Sequence, residues 1–405
     1  MTMETGNGKK KTNAPPLRFP GFEGEWEERN LSDFVTENKE RNIKGYFDKT
    51  NVLSVSGDYG IVNQIELLGR SFAGTRVSQY RVVRHGNIVY TKSPLKEYPY
   101  GIVKANMGDD GIVSTLYAVY KVNGNADEKF IQYYFSLSSR INKYFKPIVR
   151  IGAKHDMKIG NQEVLANRVV FPSLSEQRKI ADFLRLLDER IAAQRVLIGE
   201  MGRLKSAMIE THYVKSHRQK VRFADLGEPF NVGNISKSEL SGNGIPCILY
   251  GELFTAYGAV ISDVVSHTKK SEGVTLSKKG DLVFPSSTTV DAVSLISPSA
   301  ISIDGVALGG DMFGIHTNPN FDPQYLSYYF NYIAKRKVAK YAKGSTIIHL
   351  HWGDIEDVML ELPILNEQRS IALLLNCLEE KTRLERTYLD VLVLQKQYLL
   401  RKMFI

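Results

Sequence analysis

Two stretches of the chain carry apolar or aliphatic-stemmed residues at alternating steps of four and three. The first runs through Ile180, Leu184, Leu187, Ile191, Gln194, Ile198, Met201, Lys205 and Met208, the second through Ile371, Leu375, Leu378, Thr382, Glu385, Leu389, Leu392, Lys396 and Leu399. This spacing is the seam of a helix pair. Helices of about 40 residues are roughly 60 Å long at 1.5 Å per residue. Ser173 with Glu176 fits a capping box for the first; Ile364 breaks the box in the second, which leaves Asn366 as the expected cap. One stripe cannot be buried alone, so the two helices are expected to pair. Antiparallel pairing would place the intervening globular parts at opposite ends and relate the halves by a pseudo-two-fold. The polar seam positions Gln194, Lys205, Glu385 and Lys396 are expected to set register.

The two helices belong to an internal repeat. FPSLSEQRKIADFLRLLDER at 171–190 returns as LPILNEQRSIALLLNCLEEK at 362–381, a shift of 191 residues. FIQYYF at 130–135 answers YLSYYF at 325–330, and GNIVY at 86–90 answers GDLVF at 280–284. The apolar runs Asn87–Tyr90, Ile112–Tyr120 and Asp281–Phe284, bounded by glycines, look like strands, whereas the YYF segments have helical character. The expected architecture is therefore α+β, or mixed α/β: two similar globular domains joined by two long antiparallel helices. Its divisions are a disordered tail at 1–17, a domain at 18–172, a helix at 173–215, a second domain at 216–363 and a second helix at 364–405.

Composition narrows the function. With 405 residues, 43% hydrophobic and 24% charged, the chain is long enough for two or three domains and is not a disordered polymer. It has no run of about 18 apolar residues and no apolar leader, so a cytoplasmic protein without a membrane span is expected. Two distant cysteines, Cys247 and Cys377, exclude a disulfide framework and a zinc ribbon. The net charge of +9 points to a polyanionic partner, nucleic acid above all.

Catalytic motifs are missing. There is no GxxxxGK[ST] for ATP, no complete GxGxxG opening a helix, and no Asn/Asp-Pro-Pro-aromatic tetrapeptide of amino-methyltransferases. Glu37-Asn38-Lys39 and Glu379-Glu380-Lys381 spell ExK, but no Pro-Asp pair accompanies them as a metal nuclease would require. His349-Leu350-His351 puts two imidazoles on one strand face without a third ligand, so no metal site is expected. Ser286–Thr289 lacks a nucleophile elbow and reads as a polar loop.

Binding nucleic acid takes cations for phosphates and hydrogen-bonding side chains for base edges. In the first half these residue types gather at Lys92, Ser93, Lys96 and Tyr98 after one strand, and at Arg150, Lys154 and His155. The second half offers Ser286, Ser287 and Thr288 after the corresponding strand, then Arg336, Lys343, Ser345, Thr346, His349 and His351. Corresponding loops carry different polar residues on a similar frame, which suits two different half-sites.

The duplicated P-x-L-x-E-Q-R-x-I-A opening a long helix, with the initial LRFPGFEGEWEERNLSDF and Leu31 answered by Leu226, resembles the specificity (S) subunits of Type I restriction–modification systems. The resemblance covers residues from about 17 to 405. It implies a non-catalytic, DNA-binding subunit whose two target recognition domains each read half of a bipartite sequence in double-stranded DNA. It also implies partners: two modification subunits that methylate adenine, docked on the helices, and restriction subunits. Gln177, Arg178, Phe183, Gln368, Arg369 and Leu374 are the candidates for that docking. No cofactor is expected on this chain; S-adenosylmethionine, ATP and Mg would sit on the partners. The competing readings are a specificity subunit of a methylation-only or Type II-like complex, a self-contained methyltransferase, and a coiled-coil adaptor without DNA recognition.

If helix length sets the distance between half-sites, inserting four residues after Gln194 and four after Glu385 adds about 6 Å and rotates the seam by only about 40°. The expected result, read by mapping methylated adenines, is the same two half-sites with a spacer one or two base pairs longer. An active variant that keeps the original spacer would contradict it.

Overall fold

The computed structural model describes residues 13–95, 97–151 and 157–405. These fall into two compact units. One comprises the described residues up to Ala193 together with Leu389–Ile405, the other Gln194–Tyr388. The long helices, Leu174–Lys215 and Leu365–Lys402, thus each contribute a segment to both units.

In the first unit a four-stranded antiparallel sheet has the order Val35–Glu37, Ala118–Val122, Ile88–Tyr90, Val103–Ala105. The apolar run at 112–120 is not one strand. It divides into Gly111–Val113 and the start of Ala118–Val122 around a turn in which the Tyr117 N–H donates to the Ser114 carbonyl at 3.0 Å, leaving Leu116 in solvent. In the second unit the corresponding sheet has five strands, with Asp281–Pro285 between Met312–Thr317 and Ser299–Ile301. A second five-stranded sheet contains Ile245–Leu249 and Ala307–Gly309. Helix Glu128–Tyr134 with its C-cap Phe135, and helix Pro323–Tyr332, carry the two YYF segments, whose aromatic side chains are buried in the cores. No helix among the described residues is long and apolar enough to cross a membrane.

Each globular part closes on itself. Its first strand pairs with its last: Glu27–Asn30 with Arg168–Phe171, and Arg218–Arg222 with Met359–Pro363, both antiparallel. A long helix follows directly. No residue of either predicted seam is exposed. The polar seam residues pair across the helices. In the second unit Gln194 Nε2 donates to Glu385 Oε2 at 2.6 Å, and Lys205 Nζ to Glu379 Oε1 at 3.2 Å. In the first unit Lys396 Nζ lies 2.5 Å from Asp188 Oδ1. In the second unit partners descend along one helix as they ascend the other, so the segments there run antiparallel. Tyrosines of the repeated YYF segments complete these contacts: the Tyr133 hydroxyl donates to Asp188 Oδ2 at 2.8 Å and the Tyr328 hydroxyl to Glu379 Oε2 at 2.7 Å.

Several expectations need correction. Both caps differ. Ser173 Oγ accepts from the Glu176 N–H at 3.4 Å, but the Glu176 carboxylate does not return the bond. It is buried and takes both Arg18 Nε (2.6 Å) and Arg18 Nη2 (2.7 Å). The second helix starts at Leu365, with the Gln368 N–H on the Ile364 carbonyl at 3.0 Å, so Asn366 lies inside it. Part of the expected tail is tied down: the Asn13 carbonyl accepts from the Trp26 N–H, the Leu17 N–H donates to the Lys402 carbonyl at 2.9 Å, and Pro15 is buried. Residues 1–12 lie outside the described residues. Gln177 and Gln368 cannot serve as docking residues because both are fully buried. The Gln177 amide accepts from the Asp127 N–H at 3.0 Å and donates to the Pro172 carbonyl at 2.9 Å. Gln368 accepts from the Asp322 N–H at 2.9 Å and donates to the Pro363 carbonyl at 2.7 Å. Each glutamine thereby ties the start of a long helix to the N-cap of the buried YYF helix. Arg178, Arg369 and Leu374 are exposed, whereas the Phe183 ring, partly exposed, meets Phe19 edge-on at 5.5 Å.

Removing such a tie leaves buried groups unpaired, at about 1–3 kcal/mol each. Gln368→Ala is expected to lower stability by about 2–4 kcal/mol in denaturant unfolding, while exposed Arg369→Ala changes it by less than about 0.5 kcal/mol. Equal, small effects would contradict the structural role.

Candidate nucleic-acid interface

In the second unit the buried strand Asp281–Pro285 delivers the chain to Ser286 and then to a two-residue strand, Ser287–Thr288. This pairs with Ile348–His349, in the register Ser287 opposite His349 and Thr288 opposite Ile348. The two polar loops that the sequence singled out, separated by some sixty residues, are therefore hydrogen-bonded neighbours. Ser286 and Ser287 are nevertheless corrections. At 3% and 7% exposure their side chains face inward, and the Ser286 backbone is used on both sides, by the Asp311 carbonyl and the Leu350 N–H. They frame the site and cannot contact an external ligand. Thr288 is half-buried.

The exposed part is the hairpin between Lys343 and His349. Its ends exchange two backbone hydrogen bonds, Lys343 N–H to His349 carbonyl at 2.9 Å and the reverse at 2.7 Å. Gly344 turns the chain with φ +117°, and a Cβ there would stand 2.0 Å from the Ile347 carbonyl oxygen. Only glycine suits that conformation. Gly344, Ser345, Thr346 and Ile347 form the exposed tip. His349 and His351 stack with ring centroids 6.0 Å apart and planes 17° apart. Among the described residues no group of three or more His, Cys, Asp or Glu could hold a metal ion. The helix Lys335–Val338 and the turn after it add the exposed cations Arg336, Lys337 and Lys340. Lys335 is half-buried, and that burial pulls its ammonium below the ordinary value, with Asp291 opposing.

The first unit brings the same two segments together through side chains. Lys92, the non-glycine residue at φ +50°, is half-buried and donates from Nζ to Asn161 Oδ1 at 3.0 Å. A positive φ at lysine is strained. Asn161 Nδ2 in turn donates to Glu37 Oε1 at 2.6 Å, and Gln162 Nε2 to Glu37 Oε2 at 2.9 Å. Burial alone would raise the Glu37 carboxyl, but these amides with Arg81 and Lys39 hold it below the usual range. Burial and Arg81 pull Lys92 down, against Glu37. Lys92 thus joins the loops internally and is a poor free phosphate contact, which corrects its assignment. Ser93 is half-buried with Oγ on the Thr91 carbonyl at 3.3 Å. Tyr98 lies on Gly57, where a Cβ would come within 2.9 Å of its ring. Arg150 is exposed and opens the hairpin strand Arg150–Ile151, which pairs with Met157–Lys158. Lys96, Lys154 and His155 lie outside the described residues.

Asn161 with Glu37, and also Glu163 and Asp354, belong to the site although their residue types did not single them out as binding groups. A signal existed for the last two. The 191-residue shift aligns Gly160-Asn161-Gln162-Glu163 with His351-Trp352-Gly353-Asp354, an acidic residue three positions after a helix boundary in each.

The arrangement sorts by chemistry. Arg336, Lys337, Lys340 and Lys343 offer charge without base selectivity. Ser345, Thr346, His349 and His351 offer donors and acceptors beside it.

The chain matches the family described as Type I restriction modification DNA specificity domain twice, over residues 23–198 and 219–393. A Methanocaldococcus jannaschii protein, provisionally assigned as the type I restriction enzyme MjaX specificity subunit, is 23% identical over 286 residues. That match takes in 65% of this chain and 64% of the relative, so the chain spans slightly under two thirds of that protein's length. Among solved structures, the S subunit of a Type-I restriction-modification system from M. genitalium is similar with a TM-score of 0.59 at 13% identity, covering 97% of this chain and 99% of that one. A chain from work on complex assembly and conformational transition of the type I R-M system gives 0.55 at 18%, covering 96% and 99%. At these identities the structural likeness is one of fold.

The hairpin's dependence on glycine is testable directly. Gly344→Ala is expected to open the Lys343–His349 pair, seen as loss of amide-exchange protection at both residues. Gly242→Ala, whose Cβ would meet nothing within 4 Å, is expected to leave that protection unchanged.

Proposed function

Since the chain belongs to the Type I restriction modification DNA specificity domain family, in two copies, we propose that it is the DNA-recognition subunit of a restriction–modification complex in which each globular part reads one half of a bipartite target. The observation that carries this reading is the duplicated pair of loops. In the first unit the segment after the strand Ile88–Tyr90 joins the start of a short helix at Asn161, and in the second the segment after Asp281–Pro285 pairs with the strand Ile348–His349 just before the corresponding helix; each helix follows a strand pair opened by a cation, Arg150 or Lys343. The frames correspond while the exposed residues differ, which is what two unlike half-sites require. Exposed cations neutralise phosphates and set the position on the duplex; serine, threonine and histidine donors and acceptors sample base edges in a groove.

Catalysis belongs to partners in this reading. Modification subunits would carry S-adenosylmethionine and methylate adenine, and restriction subunits would use ATP and Mg. The outward side chains Arg178, Arg369 and Leu374, with Phe183, are the proposed docking positions on the long helices. Leu186 and Val391 are further exposed apolar residues on these helices.

Two measurements test the proposal. Adenine methylation mapped in cells with and without this protein should show one bipartite sequence that depends on it. Exchanging residues 18–172 for the equivalent part of a relative should then alter one half of that sequence and leave the other. Changes in both halves would contradict independent recognition, and methyl transfer by rigorously purified chain alone would contradict a non-catalytic subunit.

A further inference from the structure

In both units the cation that opens the hairpin faces a carboxylate from the short helix that follows it, within hydrogen-bonding distance in the second unit and at longer range in the first. Lys343 Nζ lies 2.5 Å from Asp354 Oδ1, and Arg150 Nη2 lies 3.7 Å from Glu163 Oε1. The other oxygen of each carboxylate caps that same helix: Asp354 Oδ2 accepts the His351 N–H at 2.9 Å, and Glu163 Oε2 the Gly160 N–H at 2.7 Å. The helices begin one residue later, at Trp352 and Asn161. Every residue of the arrangement differs between the units: lysine for arginine, aspartate for glutamate, histidine for glycine. The geometry recurs all the same, so charge and placement are repeated where identity is not.

Stability does not account for the recurrence. The two cations are mostly exposed, at 76% and 82% of the side chain. Exposed ion pairs contribute little to stability. The cap itself would be served by a neutral acceptor. What the negative charge adds is direction. Lysine and arginine are long and rotamer-rich, and a free one would meet phosphate in many registers. Here one oxygen is fixed by the backbone, which places the other: in the second unit it binds Lys343 directly, and in the first it draws Arg150 by charge at 3.7 Å. The carboxylate also repels any phosphate that approaches from its own side.

We propose that Asp354 and Glu163 are positioning residues for sequence discrimination: each aims its hairpin cation at one phosphate register and disfavours duplex bound in others. This rests on the DNA-recognition reading above, and the test separates the two. The full chain, assembled with its modification partners, is titrated with the duplex identified by methylation mapping and with duplexes altered in one half-site. Asp354→Asn retains an oxygen to accept the His351 N–H and loses the charge. The ratio of cognate to altered-duplex affinity is expected to fall about fivefold for the half-site read by the second domain, the size of one exposed charge pair. The fall should come from tighter binding of the altered duplex. For that altered duplex, log K against log salt should steepen by about 0.9, one added phosphate contact. Glu163→Gln is expected to do the same for the other half-site. An unchanged ratio and slope, or a parallel loss of affinity for every duplex as a merely folded-state defect would give, overturns the proposal. A wild-type complex that binds every duplex equally overturns the recognition reading itself, and this inference with it.

Discussion

Neither long helix can bury its apolar stripe by itself, and that constraint organises the chain. Ile180, Leu184, Leu187 and Ile191 are buried on one helix, and Ile371, Leu375, Leu392 and Leu399 on the other. Each fully buried side chain of this kind contributes about 1.5–3 kcal/mol relative to exposure. The polar contacts between the helices supply something different. Apolar stripes at 4,3 spacing fit one another in several registers, whereas Gln194 on Glu385, Lys205 on Glu379 and Lys396 on Asp188 fit in one. Gln194 and Glu385 are also equivalent positions of the repeat, as are Lys205 and Lys396. A duplicated sequence that pairs antiparallel repeats its contacts in this way, Lys205 on Glu379 answering Lys396 on Asp188, so register and duplication are one fact.

The same contacts fasten the globular parts. Tyr133 and Tyr328 reach from the buried YYF helices to the carboxylates that hold the interhelical lysines. Gln177 and Gln368 reach from the long helices to the backbone beneath the N-cap aspartates, whose side chains accept the Phe130 and Tyr325 N–H groups. These are buried or half-buried hydrogen bonds, and leaving any one half made is more expensive than making it is favourable. They account for why the repeat is most visible at EQR and YYF and fades elsewhere.

Legibility follows the range of the interaction. The helices could be read because their seam is a local period sustained over some thirty residues. The strands Ile88–Tyr90 and Asp281–Pro285 could be read because they are short, apolar and bounded by glycine. Strand order could not, since Glu27–Asn30 pairs with Arg168–Phe171 across the whole domain. Burial of polar residues was equally hidden. Gln177, Gln368, Ser286 and Ser287 look like surface chemistry in a sequence and prove internal because distant backbone groups need them. Lys92 misled for the same reason: its partner, Asn161, lies far along the chain. Residues 344–347 stand out in the sequence because glycine and hydroxyls in one run have little structural use, and the structure leaves them exposed.

The division between hidden and legible polar residues is also a division of labour. Several residues whose hydrogen bonds close inside a unit, Gln177 and Gln368, Tyr133 and Tyr328, Asp127 and Asp322, are the residues the two units share. Those on the hairpin tip, Ser345 and Thr346, are exposed in the turn set by Gly344. A domain built this way can change what its tip presents at little energetic cost, because surface substitutions away from caps and buried networks shift stability by about 0.5 kcal/mol or less. The Lys343–Asp354 and Arg150–Glu163 pairs lie at the border of the two classes. Their carboxylates are bound to the frame by a backbone hydrogen bond, and their cations belong to the tip. Variation there must preserve charge while it is free to change side chain, and lysine with aspartate against arginine with glutamate is what that constraint permits.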